Sequence, residues 1–318
     1  MTQHDPVRVA INGYGVIGKR VATAVLAQKD MRLAGVVDIA TDWRLRPLEE
    51  QGIDLYAASS EHAQTMRGAG FTIAGTLDAL LGQVDVVVDC TPKRIAAQNA
   101  EIYRANGRKF IVHGGEKHDV TGHSFVAEVS FDSAAGRAAT RVVSCNTTSI
   151  VRTLTALKRA GLLKRARGTL LRRATDPWES HLGGIMNTLV PEPDIPSHQG
   201  PDAQSVDPEL DVVTMAVKVP QTLAHLHYWS VLLTRNASKE EVLDAFRASS
   251  RIALIRAGDG LAAINTVKEL FYAYMVDNQA IVIPDTIDAI RALTGLARTA
   301  EDSIAQTNET LGIRAAFC

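Results

Sequence analysis

Cys145 stands in "SCNTTSIVR" (144–152), directly after the apolar run "TRVVS" (140–144). The residues that follow it are apolar at helical spacing and end in Lys and Arg before Gly161. A thiol at the start of a helix meets unpaired backbone N–H groups and the positive end of the helix dipole, and both favour thiolate. The same N–H groups can hold the oxyanion formed when a thiolate attacks a carbonyl. The other cysteines suit plainer roles, Cys90 inside a β-branched run and Cys318 at the chain end. Downstream, His225 and His227 in "LAHLH" (223–227) share one face of a strand. Two packed histidines or a metal site would give the same spacing, but no third ligand stands nearby in the sequence. Arg172 and Arg173 close another strand and point to opposite faces, which implies separate tasks. A guanidinium suits bidentate phosphate binding, and two solvated arginines are the plain alternative.

A second chemistry is written in "INGYGVIGKR" (11–20). Gly13 permits a tight turn, Gly15 lets backbone approach a pyrophosphate, and Gly18 lets the helix pack close to the strand. The helix that opens at Val16 and Ile17 turns free N–H groups toward the phosphates. A second strand ends at Asp38, 20 positions after Gly18. A carboxylate there accepts the ribose hydroxyls of NAD and repels the 2′-phosphate of NADP, so NAD is favoured and NADP stays possible.

These residues need elements to position them. "VRVAI" (7–11), "MRLAGVVD" (31–38), "QVDVVVDCTP" (83–92) and "KFIVHGG" (109–115) are apolar runs separated by helical stretches such as "KRVATAVLAQ" (19–28) and "AAQNAEIYRANG" (96–107). That alternation predicts an α/β fold, a Rossmann-type doubly wound parallel sheet covered on both faces. From about residue 165 the pattern changes to longer strands, "ARGTLLRR" (166–173), "LDVVTMAVKVP" (210–220) and "HLHYWSVLLTR" (225–235). They predict an α+β catalytic domain with a mostly antiparallel sheet. The Pro- and Asp-rich stretch 190–209 reads as a long functional loop. A strand is expected before Pro284, and 284–313 reads as two helical pieces. The expected domains are a dinucleotide-binding domain over 1–140, a catalytic domain over 141–285, and C-terminal helices over 286–318 that return to the first.

The 318 residues carry 34 Lys and Arg against 35 Asp and Glu, with no long run of one sign. This balance argues against a dedicated nucleic-acid or membrane-surface protein. The N-terminus has no signal-peptide pattern and no stretch is long enough to span a membrane, so a cytoplasmic protein is expected. Three cysteines without paired spacing fit a reducing compartment and no metal site.

The blocks "NGYGVIGKRVA" (12–22), "VVDCTP" (87–92), "GGEKHD" (114–119), "SCNTT" (144–148), "RRATDP" (172–177), "PSHQGPD" (196–202), "VVTMAVKVP" (212–220), "LAHLH" (223–227) and "IDAIRALTGL" (287–296) fall in order over almost the whole chain. In this the chain resembles the archaeal, type II glyceraldehyde-3-phosphate dehydrogenases. The resemblance implies NAD(P)-dependent oxidation of glyceraldehyde 3-phosphate through a thioester at Cys145, which inorganic phosphate releases as an acyl phosphate. It implies His225 as general base and Ser144, Asn146, Thr147, Arg172, His198 and Gln199 around the substrate. It also implies Thr91, Gly115, Arg173 and Asn278 about the cofactor, and a homo-oligomer, tetramer or dimer. The chain departs from the family pattern in a short stretch over 259–283, and in Asp38 where many members carry lysine. An alternative keeps the cysteine chemistry for another short phosphorylated or phosphonate aldehyde, with hydrolytic release.

Overall fold

The computed structural model describes residues 5–113, 115–174, 188–254, 268–277 and 280–314. The chain divides into two compact units, one of Met1–Val143 with Ile283–Leu311, the other of Ser144–Val282 with the residues from Gly312.

In the first unit β1 (Val7–Asn12), α1 (Val16–Ala27), β2 (Met31–Asp38), α2 (Arg46–Glu50), β3 (Leu55–Ala57), α3 (Ser60–Gly68), β4 (Gly75–Thr76), α4 (Leu77–Leu81), β5 (Val86–Asp89), α5 (Ile95–Ala105), β6 (Lys109–His113), β7 (Ser124–Phe125), α6 (Ala127–Ala134) and β8 (Ala139–Val142) follow in turn. The eight strands form one sheet in the order β4-β3-β2-β1-β5-β6-β8-β7. Every pair is parallel. Strand β5, "VVVD", is buried at every position, as a strand covered on both faces must be. The chain steps outward from β1 to β4 and then returns to β5 on the other side of β1. Such a reversal opens a crevice at the carboxyl ends of the two central strands.

The second unit holds α7 (Cys145–Arg159), β9 (Leu163–Arg173), β10 (Val190–Pro191), α8 (Gln199–Gln204), β11 (Val212–Val219), β12 (His225–Leu233), α9 (Lys239–Arg247) and β13 (Glu269–Val276). Its sheet runs β10-β11-β9-β12-β13, antiparallel except for the β9–β11 pair. On β12 the odd residues His225, His227, Trp229, Val231 and Leu233 are buried, the period of two of a half-covered strand. Gly168 on β9 makes room for Trp229, since a Cβ there would lie 2.6 Å from the indole.

Helices α10 (Val282–Thr294) and α11 (Ala300–Leu311) complete the architecture. Within the first unit, the fully buried Arg291 guanidinium pairs with Asp30 at 2.8 Å and donates to Gln28 and Thr307. A charge this deep is tolerable only when its donors are matched in this way.

Two expectations are corrected. Residues 190–209 are not one loop, because they contain β10 and α8. The strand expected before Pro284 is instead the first turn of α10, where a proline replaces an N–H that would have no helical partner. The strand of that region lies earlier, as β13.

Candidate active site

The second unit gathers one constellation around Cys145. Ser144 is the N-cap of α7, its Oγ accepting the Thr147 N–H at 3.3 Å, so the cysteine is the first helical residue. His225 faces it from β12 with Nε2 3.4 Å from Sγ. The Arg173 backbone N–H donates to His225 Nδ1 at 3.0 Å. An N–H cannot accept, so Nδ1 must offer its lone pair, and the neutral ring then carries its proton on Nε2, toward the sulfur. His227 turns elsewhere, with Nε2 2.8 Å from Asn146 Oδ1 and Nδ1 2.9 Å from the Tyr274 hydroxyl. Geometry thus separates two histidines that their spacing alone leaves equivalent.

Burial pushes the Cys145 thiol up to about 11, while the Asn146 N–H and the charges of Arg173 and Arg172 pull it down by less. The lowering expected at a helix start is therefore outweighed by desolvation, which penalises the charged form. Burial, aided by the charge of Arg172 and by that of His225 whenever it is protonated, holds His227 down at about 3 and keeps it neutral.

A second cluster lies at the end of β9. Arg172 pairs with Glu192, whose other oxygen is 3.7 Å from His198 Nδ1. With its amide assigned so that oxygen meets the donors around it, the Gln199 carboxamide accepts from Arg172 Nη1 at 3.2 Å and from His198 Nε2 at 3.3 Å. Arg172, His198 and Gln199, all expected around the substrate, lie together as one group. Gln199 is fully buried and steadies Arg172 from behind. Thr147 is also fully buried, and its hydroxyl donates to Asp202 at 2.7 Å. Through that bond Thr147 ties α7 to α8. Ser144 spends its hydroxyl on the cap and on Thr147 Oγ1 at 2.9 Å. The Arg173 guanidinium donates to the Thr222 carbonyl at 3.1 Å. Asn278 lies outside the described residues, as do 259–267 of the short stretch and Cys318.

In the first unit Gly13 has φ +92°, and a Cβ on Gly18 would lie 1.9 Å from the Gly13 carbonyl oxygen. Both glycines are dictated by the turn. Gly15 differs, because a Cβ there would meet nothing within 4 Å. The N-terminus of α1 has no side-chain cap and no acidic residue in its first turn. Open space beside the free N–H groups of Val16 and Ile17 fits a pyrophosphate. Asp38 accepts N–H groups from Tyr14 at 2.6 Å, Ile39 at 2.7 Å and Ala40 at 2.8 Å. That fills about three of a carboxylate's four acceptor positions and leaves one on Oδ2 for a ribose hydroxyl. Thr91, after β5, donates its N–H and hydroxyl to the buried Asp89, which also accepts from Asn99 and Tyr103. Gly115 is exposed after β6. Among the described residues no three His, Cys, Asp or Glu side chains gather as a metal site, and no helix is long and apolar enough to cross a membrane.

Residues 144–285 match the glyceraldehyde 3-phosphate dehydrogenase C-terminal domain, and residues 7–117 match the dihydrodipicolinate reductase N-terminus. The chain is 42% identical to a glyceraldehyde-3-phosphate dehydrogenase of Methanobrevibacter smithii, over 96% of this chain and 99% of that one. The chain belongs to the archaeal-type glyceraldehyde-3-phosphate dehydrogenase family. Relatives of the same name from Archaeoglobus fulgidus, 41% identical over 98% of this chain and 99% of theirs, and Thermococcus kodakarensis, 40% identical over 96% and 99%, agree. Membership in this family makes the protein an oxidoreductase with a nicotinamide cofactor.

Sequence reasoning passed over Glu192, Asp202, Asp89 and Tyr274. Glu192 and Asp202 lie in the stretch read as loop, where no periodicity marks a facing residue. Asp89 was a visible signal, a lone acid closing the β-branched run "VVVD". Tyr274 belongs to β13, a strand expected nearer to Pro284.

Proposed function

We propose that the protein oxidises glyceraldehyde 3-phosphate through a covalent Cys145 thioester, with NAD as preferred cofactor and inorganic phosphate as acyl acceptor. The observation that carries this reading is Cys145 Sγ at 3.4 Å from a His225 Nε2 whose proton is fixed there by the Arg173 N–H.

The Cys145 thiol gives up its proton to solvent, and the thiolate then attacks the aldehyde carbon, forming a C–S bond as the carbonyl π pair moves to oxygen to give an alkoxide. His225 Nε2–H and the first N–H groups of α7 are the donors available to that oxygen. Hydrogen-bond donation by a neutral His225 takes the place of the general-base role that the family resemblance implies. With the alkoxide already deprotonated, collapse to a thioester needs no further proton removal. The nicotinamide, when bound, supplies the acceptor for the hydride that leaves the alkoxide carbon. Phosphate then adds to the thioester carbonyl, the C–S bond breaks, and the thiolate returns to its donors as the acyl phosphate departs. Arg172 is the cation for the substrate phosphate and His198 a further donor to it, with Gln199 beside both. Gly13, Gly15, Gly18 and the N–H groups of Val16 and Ile17 would hold the pyrophosphate and Asp38 the ribose. Thr91, Gly115, Arg173 and Asn278 complete the proposed cofactor contacts.

The test follows NADH absorbance when purified protein meets glyceraldehyde 3-phosphate and NAD, with and without inorganic phosphate. Phosphate-dependent NADH formation, lost in Cys145→Ser, is the expected result. NAD binding without NADH formation would rule out this aldehyde as substrate.

A further inference from the structure

Behind Cys145 runs a buried hydrogen-bonded chain that the mechanism above does not use. Asn146 Nδ2 lies 3.9 Å from Cys145 Sγ, at the outer limit of a contact to sulfur. Asn146 Oδ1 meets His227 Nε2 at 2.8 Å, and His227 Nδ1 meets the Tyr274 hydroxyl at 2.9 Å. The sheet register dictates the last contact, because His227 and Tyr274 are directly opposed on β12 and β13 and their rings pack 5.0 Å apart. The Tyr274 oxygen also lies 3.4 Å from Ser149 Oγ, whose own hydroxyl donates to the Asn146 carbonyl at 2.8 Å, so with the phenol proton on His227 this approach to α7 is a packing contact. Asn146 and His227 are both buried.

We propose that His227 and Tyr274 are positioning residues that hold the Asn146 carboxamide with its N–H2 toward the reacting sulfur and oxygen. The chain has one consistent set of protons for that orientation. Asn146 Oδ1 needs a donor, which makes His227 Nε2 the protonated nitrogen. His227 Nδ1 is then an acceptor, and Tyr274 must donate its hydroxyl proton to it. The opposite polarity would turn the carboxamide oxygen toward the sulfur, which a thiolate or alkoxide repels. A neutral His227 is required throughout, and its burial keeps it so. A purely structural pair at these two sheet positions could be apolar, without three buried polar groups that each need a partner.

This inference rests on Cys145 being the nucleophile, and the experiment separates the two. Wild type, Tyr274→Phe, His227→Leu, His227→Gln and Cys145→Ser are compared in steady-state kinetics, in thermal melts, and in the rate of iodoacetamide alkylation from neutral to alkaline pH. Gln carries an N–H close to the place of histidine Nε2. Tyr274→Phe and His227→Leu are expected to lower kcat by about 10- to 100-fold, the scale of losing a partner that orients a reacting group. KM for the aldehyde should stay unchanged, the alkylation midpoint should rise, and His227→Gln should recover most of both losses. An unshifted alkylation profile in folded His227→Leu, or a Gln variant as impaired as the Leu one, would overturn the proposal. If alkylating Cys145 leaves wild-type turnover intact, the nucleophile reading falls instead, and the alkylation midpoints still report whether the chain acts on the sulfur.

Discussion

Two alanine substitutions in the glycine loop should separate binding from folding. In Gly18→Ala the new Cβ would lie 1.9 Å from the Gly13 carbonyl oxygen and 3.5 Å from Cys90 Cβ. An ordinary carbon–oxygen contact is longer by roughly 1.3 Å, and the obstacle is backbone, so α1 must move; overpacking of this kind costs about 2–3 kcal/mol. In a unit of this size that lowers Tm by roughly 5–10 °C. In Gly15→Ala the Cβ meets nothing within 4 Å, and the backbone sits at φ −75°, ψ −160°, which alanine adopts freely. Its folding cost is up to about 1 kcal/mol, because glycine outranks alanine at an N-cap. The methyl nevertheless fills the approach that the pyrophosphate needs, and a loss of about 1.4 kcal/mol in binding is tenfold in Kd. The assay pairs a thermal melt with NAD titration by fluorescence quenching for each variant. Gly15→Ala should lose no more than about 4 °C in Tm and bind NAD at least about tenfold more weakly, a contact loss of that size. Gly18→Ala should lose both. Unchanged NAD affinity in Gly15→Ala would refute the loop as the phosphate cradle.

Other outcomes follow from the same geometry. Because burial holds the Cys145 thiol up at about 11, thiolate is scarce at neutral pH, and iodoacetamide alkylation should accelerate with pH well past neutrality; Arg172→Gln, which removes a charge that favours thiolate, should slow it at every pH, and a plateau reached at neutral pH would contradict the reading. Glu192→Gln removes the carboxylate that shares the Arg172 guanidinium, so KM for the phosphorylated aldehyde should fall by about two- to fivefold, the scale of one partly exposed ion pair; a rise in KM would mean that Glu192 orients the arginine instead. Asp38→Asn turns an N–H2 against backbone N–H groups that the carboxylate now accepts, which should cost about 1–2 kcal/mol in a denaturant melt. With the charge gone, the ratio of kcat/KM for NADP to that for NAD should rise, and an unchanged ratio would remove Asp38 from cofactor choice.

The amino-acid sequence by itself determined the doubly wound first sheet, the loop through Gly13, Gly15 and Gly18, and the helix start at Cys145. Each of these is local. A continuous β-branched run, a glycine forced to φ +92° and a serine cap act over a few residues, so their pattern is legible without the fold. Tertiary structure decided the rest. Cys145 and His225 are 80 residues apart, and which of two same-face histidines meets the sulfur depends on how β12 is registered against β9 and how α7 lies over both. The same registration sets His227 against Tyr274 and puts the Arg173 N–H on the His225 ring. The sign of the Cys145 shift was likewise beyond local reading, because the helix start that favours thiolate is visible in the chain but the desolvation that outweighs it is a property of everything packed around the sulfur.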